Sequence, residues 1–511
     1  MYEKITPDLM TGRKDIVTDA QYLTEENVVR VVQKAMTRHQ MNVFAIRYLR
    51  NYYKGIQPIL FRQKDIRPEI CNKVVVNRAY EITEFKIGYL FGEPVQFVQR
   101  GKCGFEEGVE TEDNPVVELN EYMIGESKAE SDSELASDMH ITGVGYRGIF
   151  QKSYDIDVDE CPFTINTLDP ERTFVIKRND ISHSVLAAVT YIESVDDQGE
   201  VTREIWVYTD SEVYTITAPK SGFQNAGVTV EANGVGMIPI IEYPLNHYKM
   251  GCFEPALSPL DNLNSIESNR MDGLEQFIQS LLVLKNCDMD SEVFASLRGQ
   301  GGLLLKSNGG GFEPNAEMLS DDLNQTSTQT MVDNTYNEIL TITGVPDREA
   351  SAGGNTGQAL VIGQGWAAAE ARAQSTETLF KKSERQTLKV MLSIIKNLDS
   401  SNASMSVQTL RPQDVEIKFT RNRTDNLLTK TQGLQGLLES GIHPRIAIAT
   451  IGMFSDPEQV YEDSIPYMEK WLNATNTSPS SQETAANANT GNATDSGSGL
   501  PDSSQSTGTV S

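Results

Sequence analysis

The fold is decided by a stretch that starts Ser258-Pro259-Leu260-Asp261 and continues to Lys285 as NLNSIESNRMDGLEQFIQSLLVLK. Ser258 is a favourable N-cap, Pro259 suits the first helical position, and Asp261 suits the positive end of the helix dipole. Apolar residues then recur with the period of one helical face, at Leu260, Leu263, Ile266, Met271, Leu274, Phe277, Ile278, Leu281 and Leu282. The pattern predicts a helix that runs to about Lys285, a length of roughly 40 Å.

The opposite face of this predicted helix is polar. Its residues are Asn262, Asn264, Ser265, Glu267, Ser268, Asn269 and Asp272. We expect the apolar stripe to need a packing partner and the polar stripe to face water. A second helix is predicted over residues 326–343, ending at Gly344-Val345-Pro346. The two would form a helix pair joined by an excursion of about forty residues.

The charge balance of the chain is unusual. Its 511 residues include 71 acidic and 44 basic side chains, which gives a formal net charge of −27. Sequence-independent binding of nucleic acid requires Lys and Arg to neutralise phosphates, so this balance disfavours a simple DNA-binding protein. The balance is compatible with a surface along which DNA moves without being bound tightly.

The cysteines and the N-terminus indicate the compartment. Five cysteines occur singly, at Cys71, Cys103, Cys161, Cys252 and Cys287. This spacing predicts neither a disulfide framework nor a zinc site and favours a reducing compartment. The N-terminus lacks a signal-peptide pattern, and no apolar run approaches the roughly 20 residues that span a bilayer. We therefore expect a protein made in the cytoplasm, with no membrane partner.

The remainder of the chain alternates between helical and strand patterns. Helices are predicted over 24–55, 72–92, two short stretches within the acidic segment 105–139, 358–398, and a block over 425–472. Strands are predicted at 95–98 and 415–419, with an antiparallel meander over 146–243. Gly363 and Gly365 should weaken the first turns of the 358–398 helix. Residues 1–23 should form an arm, and 473–511, which have no apolar face, should be disordered.

Motifs for catalysis are weak or missing. Gly143-Val144-Gly145-Tyr146-Arg147-Gly148 matches GxGxxG, but a helix precedes it and a strand follows, which reverses the order of a dinucleotide fold. We interpret it as a helix-to-strand turn. The five histidines are isolated from one another, and no P-loop or GxSxG motif occurs. The sequence therefore predicts no enzyme, no catalytic residue, no metal and no cofactor.

Several motifs, taken in order, resemble tailed-bacteriophage portal proteins of the siphophage type. They are Tyr52-Tyr53-Lys54-Gly55, Asn72-Lys73 with Asn77, Lys86 to Pro94, Ile238 to Tyr243, Gly251 to Pro255, Leu260 to Asn264, Thr343 to Asp347, and Asn355 to Leu360. The resemblance covers roughly residues 45–470.

The resemblance implies an α+β fold of portal type, with an α/β wing, long stem helices, a small α/β clip, a helical crown and a disordered tail. It implies a ring, commonly of twelve subunits, at one capsid vertex of a virion assembled in the host cytoplasm. Double-stranded DNA would be packaged through the ring by the terminase large subunit and later ejected. Further implied partners are head-completion or connector proteins, the scaffolding protein and the major capsid protein.

The resemblance also implies a domain map. It gives an arm at 1–24, a wing at 25–252, stem helices at 253–287 and 326–346, a clip at 288–325, a tunnel loop at 347–357, a long helix and return strand at 358–424, a crown at 425–472 and a tail at 473–511.

Site residues follow from this map. The tunnel-loop residues are Asp347, Arg348, Glu349, Gly353, Gly354, Asn355, Thr356 and Gly357. The stem residues are Leu260, Asp261, Asn264, Leu274, Phe277 and Leu281, and the clip or terminase contacts are Arg298, Leu303, Leu304, Leu305 and Lys306.

One departure and two hypotheses remain. A basic residue often follows the Ala-Leu pair in this family, but Val361 follows Ala359-Leu360 here. We hypothesise that Arg348 contacts DNA phosphate transiently and that Leu303 to Leu305 pair between neighbouring subunits. The alternatives are a capsid or scaffolding component without a channel, and a nucleotide-binding enzyme that uses the turn at 143–148.

Overall fold

We describe the chain from a computed structural model. The structure describes residues 11–100, 115–155, 158–195, 199–220, 222–224, 226–278, 281–285, 315–319, 325–347, 365–398, 405–420, 427–451, 460–461 and 463–467. These residues fall into two compact units, Met1–Asp425 and Asn426–Ser511. Helices and strands are mixed in the first unit, which confirms the α+β class.

The helices of the first unit are α1 (Val28–Tyr53), α2 (Arg78–Phe91), α3 (Pro115–Gly125), α4 (Lys128–Thr142), α5 (Leu257–Ile278), α6 (Gln325–Thr343), α7 (Trp366–Lys396) and α8 (Met405–Thr409). The strands are β1 (Ile16–Thr18), β2 (Gln96–Gln99), β3 (Val144–Gln151), β4 (Phe163–Leu168), β5 (Thr173–Arg178), β6 (Val185–Val195), β7 (Val201–Tyr208), β8 (Glu212–Pro219), β9 (Gly227–Ala232), β10 (Ile240–Pro244), β11 (Leu281–Lys285), β12 (Asn315–Leu319) and β13 (Val415–Lys418).

The predicted meander is present as a six-stranded sheet in the order β1-β5-β6-β7-β8-β9. Strands β5 to β9 pair antiparallel in sequence order, because short turns connect them. The first half of α1 packs on this sheet through Val28, Val32 and Met36, which meet Ile176 and Val207. A second sheet, β10-β3-β4, lies beside it.

Two helices end where glycine and proline predict. Helix α2 begins after Asn77, whose side chain accepts a hydrogen bond from the backbone of Tyr80, and it ends at Gly92, ahead of Pro94. Helix α4 ends at Gly143, and β3 begins at once. A Cβ on Gly143 would lie 2.1 Å from the carbonyl oxygen of Lys249, so only glycine allows this close approach. The helix-to-strand interpretation of the GxGxxG motif is therefore correct.

The largest core joins α2, α4, the sheet β10-β3-β4, the start of α5, the end of α6 and the C-terminal half of α7. Its fully buried side chains include Phe253, Leu263, Ile339, Phe380 and Met391. Burying side chains of this size contributes about 1.5–3 kcal/mol each, so this core fixes the helices to the sheet.

Four expectations are corrected by the structure. Helix α5 ends at Ile278, and residues 281–285 form a strand that pairs antiparallel with 315–319, so Leu281 is not on the helix. The predicted arm contains a strand, Ile16–Thr18, which pairs parallel with β5. Helix α7 begins after Gly365, so this glycine is not within its first turns. On the polar face of α5, Asn264, Ser268 and Asp272 are buried, whereas Asn262 and Asn269 are exposed.

The second unit contains α9 (Leu427–Glu439) and α10 (Pro444–Ile451), which pack together as the predicted helical block requires. Gly441 lies between them, and Pro444 starts α10. No helix in the described part of the chain is both long enough and apolar enough to cross a membrane.

Candidate functional site

An extended segment runs along the polar face of α5. The backbone N–H groups of Asn72, Val74 and Val76 donate to Asp272 Oδ1 at 2.6 Å, Ser268 Oγ at 3.0 Å and Asn264 Oδ1 at 2.8 Å. Two residues of an extended chain advance about 6.6 Å and four residues of a helix about 6.0 Å. The backbone N–H groups of every second residue of the segment therefore lie opposite every fourth side chain of the helix. The expectation that this face meets water is wrong for these three side chains, which are buried.

A buried amide network continues from this helix face to the end of α1. Asn264 Nδ2 donates to Gln57 Oε1 at 2.5 Å, and Gln57 Nε2 donates to Asn77 Oδ1 at 3.0 Å. Asn77 Nδ2 in turn donates to the carbonyl of Tyr53 at 2.8 Å. Three of the sequence motifs that are far apart along the chain therefore meet at one place.

The start of α5 is held to α1 by a second contact. The hydroxyl of Tyr52 donates to Asp261 Oδ1 at 2.9 Å. Burial raises the pKa of Asp261, and it also raises the pKa of Tyr52, so the phenol keeps its proton and remains the donor. Leu260, one residue earlier, is buried in the main core.

Two cations lie beside the carboxylate of Asp272, near the C-terminal end of α5. Lys64 Nζ lies 2.5 Å and Arg62 Nη1 lies 3.3 Å from Asp272 Oδ2. Burial by itself would raise the pKa of Asp272, but hydrogen bonds from Lys64 and Asn72 hold it below its ordinary value. Because the carboxylate stays ionised, it ties the chain before α2 to α5.

Helices α5 and α6 lie together but leave apolar side chains in solvent. Arg270 Nη1 donates to Gln329 Oε1 at 2.9 Å between them. The exposed apolar residues are Met271 at 44 %, Leu274 at 39 %, Met331 at 56 % and Ile342 at 40 %. Among the described side chains of the predicted apolar stripe of α5, Leu260 and Leu263 are therefore buried, whereas Met271 and Leu274 are exposed.

The segment 348–364 joins two ends that lie next to each other. A Cβ on Gly365 would lie 3.7 Å from Cα of Pro346. Arg372 of α7 donates to the carbonyl of Ile342 at 2.5 Å, near the C-terminal end of α6. Gly344 has a φ of +70°, and a Cβ there would lie 2.5 Å from Cδ of Arg372. The structure thus fixes both ends of this segment on one scaffold.

The middle of α7 is anchored by a buried cluster of four charges. Arg147 contacts Asp132 at 2.5 Å and Glu384 at 3.2 Å, and Lys128 contacts the same two carboxylates at 2.7 Å and 2.9 Å. The hydroxyl of Tyr243 donates to Glu384 at 2.6 Å. Two cations and two anions balance, which a buried cluster requires. Burial would lower the pKa of Arg147, but Asp132 and its neighbours outweigh it and raise that pKa, so Arg147 stays charged.

A further buried ion pair fixes the approach to α5. Arg13 Nη2 lies 2.9 Å from Glu254 Oε1, and both side chains are buried. Glu254 Oε2 also accepts the backbone N–H of Gly251 at 2.8 Å. The chain before β1, predicted from the sequence to be an arm, is therefore bound to the motif Gly251 to Pro255, which precedes α5.

The predicted site residues have different outcomes. The structure brings Leu260, Asp261 and Asn264 into contact with the α1 and α2 region, and it leaves Leu274 exposed. Phe277 lies in the last turn of α5. Asp347 follows Pro346 at the base of the segment. The other predicted residues, Arg298, Leu303, Leu304, Leu305, Lys306, Arg348, Glu349, Gly353, Gly354, Asn355, Thr356 and Gly357, lie outside the described residues.

Sequence reasoning did not find the roles of Arg372 and of the charge cluster. Arg372 donates a hydrogen bond to a carbonyl oxygen of a different helix, and no local sequence pattern predicts such a contact. The line of Asn264, Ser268 and Asp272 did carry a signal. Their spacing of four residues places small polar groups in a single row along a helix, where they can accept from an extended chain.

The turn at 143–148 and the possible metal ligands of the described residues bear on the two alternatives that involve a nucleotide or a metal. The glycines at 143–148 pack on Lys249, Leu135 and Phe150, with no helix N-terminus following them. In the described part of the chain, no group of three His, Cys, Asp or Glu side chains is arranged to hold a metal ion. Within the described residues, α5 and α6 instead lie against each other and expose the apolar side chains of Met271, Leu274, Met331 and Ile342.

The family model described as "Phage portal protein, SPP1 Gp6-like" matches residues 33–472. Since this match covers most of the chain, the chain belongs to that family, and the prediction from the sequence motifs is confirmed. The portal protein of Bacillus phage SPP1 is 24 % identical over 392 residues, which cover 73 % of this chain and 72 % of that protein.

Among solved structures, a chain of the neck of a native GTA particle, computed with C12 symmetry, is similar to this one. It is 11 % identical, with a TM-score of 0.37, over 74 % of this chain and 90 % of that chain.

Proposed function

We propose that copies of this chain close into a ring at one vertex of the capsid and that double-stranded DNA moves through the ring's central channel. The terminase motor would drive DNA in during packaging, and the same channel would release it at ejection. The observation that carries this proposal is the exposed apolar surface of α5 and α6, formed by Met271, Leu274, Met331 and Ile342. The adjacent ends of α6 and α7 flank residues 348–364. A ring supplies the missing cover for every copy at once.

The parts of the chain take different roles in this proposal. Residues 25–252 form the wing, 253–287 and 326–346 the stem, 288–325 the clip, 347–357 the tunnel loop and 425–472 the crown. The clip contacts the terminase large subunit and head-completion proteins, and the wing contacts scaffolding and capsid proteins. The strand pair β11–β12, at the far end of α5 and α6, supports a separate clip between the two stem helices.

The charge of the chain suits a channel more than a binding site. Each phosphate contact made by Lys or Arg must be released when DNA advances, and affinity falls with each contact given up. A net charge of −27 keeps such contacts few. In the tunnel loop, Arg348 provides a single transient phosphate contact, and the small residues at 353–357 allow the duplex to pass.

Electron microscopy of the purified protein tests the ring directly. Wild-type protein should form annular particles with a central hole, whereas the variant Met271→Gln with Leu274→Gln should remain monomeric and folded. Asn262→Ala, an exposed polar change on the same helix, is the matched control and should leave the rings intact. Particles without a hole would favour a capsid or scaffolding component instead.

A packaging assay tests the loop. Deleting residues 353–357 should leave the ring intact and reduce the DNA packaged per capsid. Packaging of full-length DNA at normal yield by the deletion variant would remove the loop from the mechanism.

A further inference from the structure

Helix α7 carries a row of exposed cations. Lys382, Arg385 and Lys389 lie on one side of the helix, because positions i, i+3 and i+7 face the same way. Lys381 beside them binds Glu377 at 2.6 Å. The other three have no ion pair within the described ranges, and they repel one another at this spacing. Such a row is unexpected on a chain with a net charge of −27.

The row borders a cleft between α7 and the two sheets. The cleft has a volume of about 650 Å³, and Lys382 and Lys389 line one wall of it. Lys177 and Lys249 also line it. Both of these lysines pair with Asp15 and Glu242, whereas Lys382 and Lys389 have no ion pair within the described ranges. The surface therefore has the space and the charge to receive an acidic element.

Helix α4 carries an acidic row. Glu130 and Glu134 are exposed and lie one turn apart, and neither has an ion pair in the part of the chain that the structure describes. The helix is otherwise buried through Leu135 and Met139. This acidic row has the complementary charge to the cationic row of α7.

The two rows point away from each other. Lys128 and Asp132 of α4 contact Glu384 and Arg147 at the buried cluster that joins α4 to α7. With roughly 100° per residue, Glu130 and Glu134 each lie about 160° around α4 from Asp132. By the same count, Lys382, Lys389 and Arg385 lie about 160°, 140° and 100° around α7 from Glu384. Both rows therefore face outward on opposite sides of one shared cluster.

A closed ring needs this arrangement. In a ring every interface joins two different surfaces of identical subunits, so each copy must carry both complementary surfaces on opposite sides. We propose that Lys382, Arg385 and Lys389 of one copy dock against Glu130 and Glu134 of the next copy. The inference rests on the proposed ring and names the surfaces that close it. An acidic helix from a second copy, rather than DNA, is the occupant, because the chain itself supplies the matching row.

Charge reversal tests the pairing. The variant Lys382→Glu, Arg385→Glu, Lys389→Glu should be monomeric, and so should Glu130→Lys, Glu134→Lys, each by sedimentation velocity at low salt. A chain with all five charges reversed should form rings again, because the two rows remain complementary. Mixing the two reversed variants in equal amounts should likewise give oligomers larger than a dimer. Raising the salt concentration should weaken the wild-type rings, since exposed pairs are screened.

The controls separate this inference from folding and from the ring itself. Arg30→Glu with Lys34→Glu reverses two exposed cations one turn apart on α1 and should leave the rings intact. Circular dichroism of every variant should match the wild type. Rings formed by either reversed variant alone, or monomers from the chain with all five charges reversed, would overturn the pairing. Intact rings that lose only DNA retention would assign the cationic row to nucleic acid and also overturn it. A wild-type chain without rings would refute the proposed function first.

Discussion

Arg372 of the long helix α7 donates to the carbonyl oxygen of Ile342 near the end of α6 at 2.5 Å. This contact joins the two helices that flank residues 348–364, and it explains why the ends of that segment lie together. A helix C-terminus leaves carbonyls without partners and carries partial negative charge, so a guanidinium is favourable there.

Replacing Arg372 with Ala should weaken the contact between α7 and the C-terminal end of α6. We expect a loss of about 1 kcal/mol in the free energy of unfolding, because the side chain is exposed and the lost hydrogen bonds are few. We expect a larger effect on packaging, because this contact joins the two helices that flank residues 348–364, which include most of the proposed tunnel loop. Gln374→Ala, on an exposed position of the same helix, is the control. Equal packaged DNA for Arg372→Ala and Gln374→Ala would contradict the role of Arg372.

Replacing Asn264 with Ala should destabilise the fold more than any exposed change on α5. The variant leaves the N–H of Val76 and the amide of Gln57 without their partner in a buried place, which costs about 1–3 kcal/mol. Urea denaturation would measure the difference. Asn262→Ala should stay within about 0.5 kcal/mol of the wild type. A similar small effect at Asn264 would mean that water replaces the lost acceptor.

Replacing Glu384 with Gln should be strongly destabilising. The change leaves Lys128 and Arg147 with one carboxylate between them in a buried cluster, and breaking such a cluster costs about 3–5 kcal/mol. Thermal denaturation would show a lowered midpoint. Glu377→Gln, at a partly exposed ion pair on the same helix, should cost less than about 1 kcal/mol. Comparable midpoints for the two variants would show that the cluster contributes little.

Acid should destabilise the first unit through two buried histidines. Burial lowers the pKa of His39 and of His140 to about 4, from an ordinary value of 6.5. Between these values the unfolded chain binds protons that the folded chain does not, so the free energy of unfolding falls as the pH falls from 6.5 to 4. Each histidine contributes up to about 3 kcal/mol to this loss.

The pH dependence can be assigned by substitution. His140→Gln should flatten the loss between pH 6.5 and 4, whatever its effect at neutral pH, as measured by urea denaturation at several pH values. His247→Gln changes an exposed side chain and serves as the control. An unchanged slope in His140→Gln would contradict this assignment, because it would show that His140 binds its proton equally well in the folded and the unfolded chain.

The sequence by itself determined the order and type of most elements. The Gly and Pro signals placed the end of α2 before Pro94, the end of α6 at Gly344 and the turn at Gly143, because backbone geometry at these positions depends on the residue itself. Periodicity found the helices and the meander, since a buried face must repeat with the geometry of its element. The order of the motifs was enough to identify the family.

The tertiary structure decided what each face touches. The run Leu281-Leu282-Val283-Leu284 fits a helix or a strand equally well, and its pairing with residues 315–319 made it a strand. The polar face of α5 suits water or a buried partner, and contact with the N–H groups of residues 72–76 buried Asn264, Ser268 and Asp272 on it. A local pattern records only which side chains are apolar or polar. Partners from distant parts of the chain satisfy hydrogen bonds and charges, so only the folded chain shows where they lie.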